Sequence, residues 1–394
     1  MSTSTLAQPY GGKRIMILSS RTGGGHQSAA MALEDSLTRL ARTTGNSGLW
    51  ITINQVMDDA HIITRHCAQL YNFLLRYHQH TMKYYYWAIE HLKPYQNNLI
   101  MRACSRYGAQ AFERFGPTAL VSVHPMVQHF MAFMLKQLGL TDKIPLITVV
   151  TDPCTGFWKG WACDSVHRYY VASPDAKQQL EQFGVDAQRI EVKGMPVHAK
   201  FKPLDGPDEK LRLRAQLGLD PNRFTVLVNP GWIGGGNVPS YYQTLIEQSP
   251  EAVQLLFLTG NNPELEARTK AIIGTAYSHR CKVLGFSNEM QILMQASDTM
   301  ISKLGGLTTF EALACHLPIM ADHLTEPMPQ ERGTAEFIDR NEAGVLITSP
   351  QHALQVLDDM VGRPNYYSHL KSQAACLGQP GAVDRIAEGI LQMA

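Results

Sequence analysis

The chain has 394 residues, 44% of them hydrophobic and 18% charged, which leaves room for two domains with substantial cores. No apolar run approaches the ~18–20 residues that cross a bilayer, and no low-complexity tract or repeat of ~20–50 residues is present. The net charge of +1 conceals two unlike halves: residues 1–204 carry 21 Lys/Arg against 13 Asp/Glu, and residues 205–394 carry 14 against 21. A basic half points to an anionic partner, whether membrane, nucleic acid or acidic substrate; no recognised nucleic-acid motif accompanies it. The seven cysteines form no C-x-x-C pair and are odd in number, so reduced thiols in a cytosol are expected rather than a disulfide or zinc framework.

Residues 1–12 read as a disordered tail. With no apolar stretch ahead of Lys13 and Arg14, they are not expected to be a secretory signal. Strand-like runs then alternate with helical patterns. Runs at 15–18, 51–53, 119–123, 145–150 and 168–171 are separated by helical stretches, among them 127–138 and one in which Ala30, Leu33, Leu37 and Leu40 share a face. The Pro/Gly/Asp-rich FKPLDGPDEK at 201–210, where the charge changes sign, reads as a linker. Beyond it the scheme repeats, with runs at 224–228, 253–258, 282–284, 299–302, 318–320 and 345–347. Strands alternating with helices mean parallel sheets covered on both faces. The expected fold class is therefore α/β, with two Rossmann-like domains, 13–204 and 205–365, facing across a cleft, and helices at 366–394 able to pack back on the first domain. Ligands of such sheets bind at the carboxyl ends of the strands.

Residues 61–115 break the pattern. They are helical in tendency and hold seven Lys/Arg, two Glu and five His, with six Tyr, one Phe and one Trp between 71 and 95. Tyr and Trp favour the bilayer interface, and cations favour its anionic headgroups. Tyr84, Tyr85, Tyr86 and Trp87 cannot all face inward on one helix. Part of this insertion is thus expected in the core and part on lipid, with Arg76, Lys83, Tyr84, Tyr85 and Trp87 as the contacts.

The first strand runs into SSRTGGGHQSAA. Three glycines there permit close backbone approach to a ligand. The spacing is neither a P-loop nor a good dinucleotide fingerprint, and Asp58 is a poor match for the acidic residue that a nicotinamide enzyme places after its second strand. His26, displayed at a strand end, is placed for acid/base work, although a lone histidine is more often structural. VSVHPMVQH puts His124 and Pro125 at the end of another strand, with His129 on the next helix. TVVTDPCTGFWKGW puts Asp152 at the end of a third, ahead of Trp158 and Trp161; its plain alternative is a turn cap before Pro153. His26, His124 and Asp152 thus converge on one edge of one sheet.

In the second half VNPGWIGGGN is a further glycine-rich strand end, and GFSNEM follows the strand at 282–284. ISKLGGLTTFEAL joins a strand to a helix that opens near Leu307. Gly305 and Gly306 free that helix terminus to take a diphosphate through backbone N–H groups and the helix dipole. Glu311, about one turn into the helix, is positioned for two ribose hydroxyls; its plain alternative is a solvent-facing carboxylate. PMPQERGTAEF opens another helix with Gln330 and Glu331.

Taken in order, these motifs resemble a known family over residues 14 to about 362. They are TGGGH at 22–26, SVHP-x-x-QH at 122–129, V-T-D at 150–152, K-G-M-P-V at 193–197, P-G-W-I-G-G-G at 230–236, GF-x-x-x-M at 285–290, K-x-GG-x-T-x-x-E-A at 303–312 and Q-E-x-G at 330–333. The set is similar to that of the monogalactosyldiacylglycerol synthases and related processive diacylglycerol glucosyltransferases. That family resembles in fold the bacterial enzyme that adds N-acetylglucosamine to lipid I, both having the GT-B arrangement with no active-site metal or other cofactor. The resemblance implies inverting transfer of galactose or glucose from a UDP-sugar to diacylglycerol, by a peripheral or monotopic protein on the cytoplasmic face of an anionic membrane. Gly285 and Phe286 would hold the uracil, with Met290 nearby. Gly305, Gly306, Leu307 and Thr308 would hold the diphosphate, beside Lys303 and the loop bearing Gly231, Gly234 and Gly235. Glu311 would hold the ribose, and Gln330 and Glu331 the sugar. On the acceptor side His26 would be the general base, completed by His124 and Asp152, with Gly23, Gly24, Gly25 and Pro125 shaping the loops.

Two departures bear on the choice of sugar and acceptor. Pro329-Gln330-Glu331-Arg332-Gly333-Thr334 stands where members often read G-Q-E-x-G-N, and Arg21 stands where plant members have an acidic residue. Three alternatives share the fold: transfer to another lipid acceptor, a UDP-sugar 2-epimerase, and a nucleotide-sugar-binding protein without catalysis. The epimerase would have no need of the 61–115 insertion. The oligomeric state is left open by the sequence.

Overall fold

The computed structural model describes residues 12–20, 24–45, 48–55, 66, 69–71, 73–74, 77, 81–92, 97–324 and 327–394. Two six-stranded sheets form its centre. The first holds β1 (Arg14–Leu18), β2 (Trp50–Asn54), β3 (Ala119–Ser122), β4 (Leu146–Val149), β5 (Arg168–Val171) and β6 (Ile190–Val192), in the order β2-β1-β3-β4-β5-β6. The second holds β7 (Phe224–Asn229), β8 (Val253–Leu258), β9 (Cys281–Leu284), β10 (Thr299–Ser302), β11 (Ile319–Asp322) and β12 (Gly344–Ile347), in the order β12-β11-β10-β7-β8-β9. Every pairing is parallel. Only β6 escapes the sequence reading, because Ile190-Glu191-Val192 is too short an apolar run to register.

The helices of the first half are α1 (Gly24–Thr43), α2 (Met82–Leu92), α3 (Asn98–Phe115), α4 (Val127–Leu138) and α5 (Pro174–Gln182). Those of the second are α6 (Pro207–Gln216), α7 (Tyr242–Gln248), α8 (Pro263–Ile273), α9 (Met290–Ala296), α10 (Gly306–Ala314), α11 (Pro329–Arg340), α12 (Pro350–Gly362), α13 (Pro364–Leu377) and α14 (Ala382–Met393). Local chemistry starts several of them. Ser173, Asn262 and Ser349 each accept a first-turn N–H at the N-cap, followed by a proline whose missing N–H costs nothing there.

Alternating strand residues build two kinds of core. In β1, Met16 and Leu18 pack with Phe112, Val127 and Met131 in an outer core under α3 and α4. In β7 and β8, Val226, Val228, Leu255 and Phe257 pack with Leu245 and Leu357 in a second outer core. The opposite faces meet: Ile15, Ile17, Leu33 and Leu37 belong to the same buried cluster as Leu227, Leu256, Leu307 and Phe310. The two sheets therefore share one apolar layer, with α1 and α10 in contact within it.

The chain crosses back at its far end. α14 lies along α1, contributing Val383, Ile386 and Ile390 to the shared layer. Asp384 accepts the Ser36 hydroxyl at 2.5 Å and both Arg39 guanidinium ends at 2.6 and 3.2 Å. The K-G-M-P-V stretch seats the approach to this helix. Met195 N–H donates to Gln379 Oε1 at 2.7 Å while Gln379 Nε2 donates to the Ala172 carbonyl at 2.9 Å.

Candidate active site at the shared edge of the two sheets

Each sheet reverses its strand order once, between β1 and β3 in the first and between β7 and β10 in the second. At such a point neighbouring loops leave in opposite directions and a crevice opens at the carboxyl ends of the strands. His26 follows β1 and His124 follows β3; the 230–236 loop follows β7 and Gly305-Gly306 follows β10. Both sets of candidate residues sit at a switch point, and the two points face each other. A Cβ on Gly24 would lie 3.1 Å from the Trp232 ring, and one on Gly25 would lie 3.7 Å from Leu307 Cβ. On Gly306 it would lie 2.7 Å from the Thr151 carbonyl oxygen. Those approaches, rather than loop flexibility, are what these glycines permit.

His26 departs from expectation in its setting. The sequence places it on a glycine loop, whereas α1 already begins at Gly24, so Gly24, Gly25 and His26 form its first turn. First-turn N–H groups need no intrahelical acceptor, which makes glycine tolerable there. Arg21 and Gly23 lie outside the described residues.

The histidine is half-buried. Its Nδ1 is 2.7 Å from the Val123 carbonyl oxygen and 3.0 Å from Thr151 Oγ1. A carbonyl only accepts, so Nδ1 carries the proton and Nε2 keeps the lone pair of a base. The His124 ring stands at 4.7 Å, edge to face. Burial holds His26 below its ordinary value, opposed by the charge of Asp152 and the bond to Val123. Burial and the neighbouring His26 hold His124 well below the ordinary range. His124 Nδ1 accepts the Met126 N–H at 3.2 Å. Asp152 accepts the Trp161 indole N–H at 2.7 Å; burial raises its carboxyl, opposed by that bond and by His26. Pro125 is half-buried behind His124.

The opposite crevice is built mostly of backbone. α10 opens with Gly305 as its N-cap and no capping side chain, so the N–H groups of Gly306, Leu307 and Thr308 have no intrahelical acceptor. Glu311 is 8% exposed, and burial pushes its carboxyl up to about 8 against the pull of Lys200. Among the described residues nothing hydrogen-bonds that carboxylate. Gly231 and Gly234 both have positive φ, +82° and +67°. A Cβ on Gly231 would press on Lys303 Cε at 3.1 Å, and one on Gly234 would meet the Thr259 carbonyl. This loop is thereby packed onto the end of β8, with Gly235 half-buried beside it. Phe286 projects from the loop after β9, 52% exposed, next to Gly285; Met290 opens α9 and packs against the shared core.

α11 carries Gln330 and Glu331 and docks on the first domain. A Cβ on Gly333 would sit 2.2 Å from the Thr155 carbonyl oxygen, and one on Gly156 equally close to that of Pro329. Arg340 pairs with Asp175 at 2.7 Å at the other end. Glu331 is buried and its Oε2 accepts the Met328 N–H at 3.3 Å, so its carboxylate turns back on the start of its own helix. Gln330 Nε2 lies 3.8 Å from Met328 Sδ.

Tyr84 and Trp87 are 64% and 60% exposed on α2. The Trp87 ring stacks near that of His91 at 4.3 Å. Arg76 and the side chains of Lys83 and Tyr85 lie outside the described residues. No helix among the described residues is long and apolar enough to cross a membrane.

Sequence reasoning singled out His26, His124 and Asp152, and the structure brings them together. It missed the groups that orient them: the Val123 carbonyl, Thr151, Trp161, and Gln128, whose amide donates to the Gly160 and Trp161 carbonyls at 2.8 Å each. The Q of SVHP-x-x-QH was the available signal for the last.

Two Rossmann-like sheets sharing a central layer, with facing switch points, define the GT-B fold. Anabaena HepE, solved with UDP and glucose, has the same fold at a TM-score of 0.58 and 15% identity, over 96% of this chain and 100% of that one. Residues 26–197 match the monogalactosyldiacylglycerol (MGDG) synthase family, and residues 238–321 match the glycosyltransferase family 28 C-terminal domain. Monogalactosyldiacylglycerol synthase 1 of Arabidopsis thaliana is 28% identical over 97% of this chain and 71% of its own length. The processive diacylglycerol beta-glucosyltransferase of Staphylococcus epidermidis is 27% identical over 88% of this chain and 84% of its own. Across most of its length the chain is similar to monogalactosyldiacylglycerol synthases and processive diacylglycerol glucosyltransferases.

Proposed function

We propose that the protein transfers a hexose, galactose or glucose, from a UDP-sugar to diacylglycerol, with inversion to a β-glycoside. One observation carries the reading above all: a histidine with its lone pair fixed on Nε2 faces, across shared backbone contacts, an uncapped helix N-terminus with an unpartnered buried carboxylate one turn in. The first suits an alcohol nucleophile and the second a nucleoside diphosphate. The glycerol oxygen bonds to the anomeric carbon as the bond from that carbon to the diphosphate oxygen breaks. The hydroxyl proton passes to His26 Nε2, and the negative charge departs with the diphosphate. N–H groups of Gly306, Leu307 and Thr308 and the α10 dipole receive that charge, which is the work a metal does in other transferases. Glu311 accepts the ribose hydroxyls. Gln330 contacts the sugar, and Glu331 fixes the loop that presents it.

The exposed Tyr84 and Trp87 on α2 support peripheral docking to a membrane surface. The deciding assay offers labelled UDP-galactose and UDP-glucose separately, with diacylglycerol in anionic vesicles. A β-linked glycolipid from one donor is the expected product; no glycolipid from either would sink the reading.

A further inference from the structure

Trp161 takes no part in the transfer as proposed above, yet it is among the largest fully buried side chains in the molecule. It is fully buried at the end of a short turn, 159–161. The carbonyls of that turn are held by α4. Gln128, itself fully buried, donates through Nε2 to Gly160 and to Trp161, and its Oε1 accepts the Thr148 hydroxyl at 2.5 Å. His129 Nε2 is 2.8 Å from the same Gly160 carbonyl. An amide with all these bonds made cannot rotate without leaving buried groups unpaired. The turn is therefore rigid, and what it presents is the indole N–H, 2.7 Å from Asp152 Oδ2.

We propose that Trp161 is a positioning residue for proton transfer: delivered by Gln128, its indole N–H holds the Asp152 carboxylate in place and ionised, so that the carboxylate can stabilise the imidazolium formed when His26 takes the acceptor's proton. This rests on the reading of His26 as the base. The physical ground is that an indole N–H only donates, so it bonds the carboxylate more strongly than the acid. Other groups also face Asp152. His26 comes from α1 with His124 behind it, Cys154 from the same loop, and Glu331 from α11 with Lys303 beyond. A second carboxyl and a buried site both favour protonation of Asp152; His26 and the indole oppose it.

The test is the pH profile of Trp161→Phe, which keeps most of the packing and removes the donor. The active pair has His26 neutral and Asp152 ionised. Weakening the carboxylate makes the last shared proton leave at higher pH. The acid limb of kcat/KM is expected to move upward, with kcat lower by roughly 10- to 100-fold and donor KM unchanged. A loss equal at every pH, with the limb unmoved, would mean that Trp161 only fills space, and the proposal would be overturned. Should this variant not fold, the unaltered protein decides the matter. One of its five tryptophan indole N–H resonances should titrate with the apparent pKa of the acid limb; if none moves, the coupling does not exist. The titration is read without substrate, so it can fail while transfer activity stands, or hold while the transfer reading falls.

Discussion

In the proposed reaction the two switch points take complementary parts, and they are built of different materials. In the first sheet the crevice is furnished by side chains: two imidazoles, a carboxylate and an indole, each tied to a neighbour at 2.7–3.2 Å. In the second it is furnished by backbone: glycines at +82° and +67°, and a helix terminus whose N–H groups face outward with no cap. Proton transfer needs a group whose basicity can be adjusted, and side chains are adjusted by burial and neighbours. Receiving a diphosphate needs several fixed donors at close range, and backbone supplies them without reorganising. The contrast predicts that damage to the first crevice lowers turnover and damage to the second lowers donor affinity.

His26→Ala is the sharpest way to break that division. Losing the base is expected to cost roughly 10²- to 10⁴-fold in kcat, with UDP affinity by calorimetry unchanged; a matching loss of UDP affinity would place His26 on the wrong side of the cleft. Because burial lowers the His26 pKa below 6.5, the base stays neutral as pH falls through that value. The acid limb of kcat/KM should lie below it, and lower still in Asp152→Asn, where the opposing charge is gone.

Glu311→Gln should do the reverse, weakening UDP by roughly 10- to 100-fold, the range of hydrogen bonds to a charged group, with little change in kcat. The ligand-free carboxyl, at about 8, is largely protonated at pH 7. If ribose binding favours its ionised form, UDP uptake releases a proton, and affinity rises with pH up to about 8 and then levels. Calorimetry in buffers of different ionisation enthalpy reads that proton, and Glu311→Gln should abolish it.

Gly333→Ala tests how far the crevices depend on each other. Its Cβ would meet the Thr155 carbonyl, an overpacking worth about 1–3 kcal/mol. Expected are a lower Tm and a fall in both kcat and donor affinity, since α11 would lift from the first domain. The smallest effect belongs to Arg39→Ala. The Arg39 pair is partly exposed, and its loss should cost about 1 kcal/mol or less, seen in Tm but not in UDP affinity.

The same contrast explains what could be read in advance. The strands stood out because parallel strands buried on both faces are unbroken apolar runs, as Leu255-Leu256-Phe257-Leu258 shows. His26, His124 and Asp152 stood out because rare residue types at strand ends are visible one at a time. Gly305-Gly306 and Glu311 stood out through spacing. Thr151 and Val123 lie within motifs, but their contacts with His26 arise only when β3 and β4 are set beside α1. The contact of Gly333 with Thr155, 178 positions apart, is likewise a product of the tertiary fold. Glu331 is the instructive case. Its motif suggested the sugar, and its geometry gives it a helix N-terminus to secure.

The crossing of α14 over α1 has a consequence for how the chain comes to be made. α1 emerges from the ribosome early, carrying Leu33 and Leu37 on a face that α10 and α14 later cover. Until both sheets have been synthesised, the helix that holds His26 presents that apolar face to the cell. The apolar layer around α1 is thus completed only when α14, far along the chain, is in place. Shortening or tagging the segment beyond Gly381 would act less on the nearby second domain than on the helix that begins with Gly24.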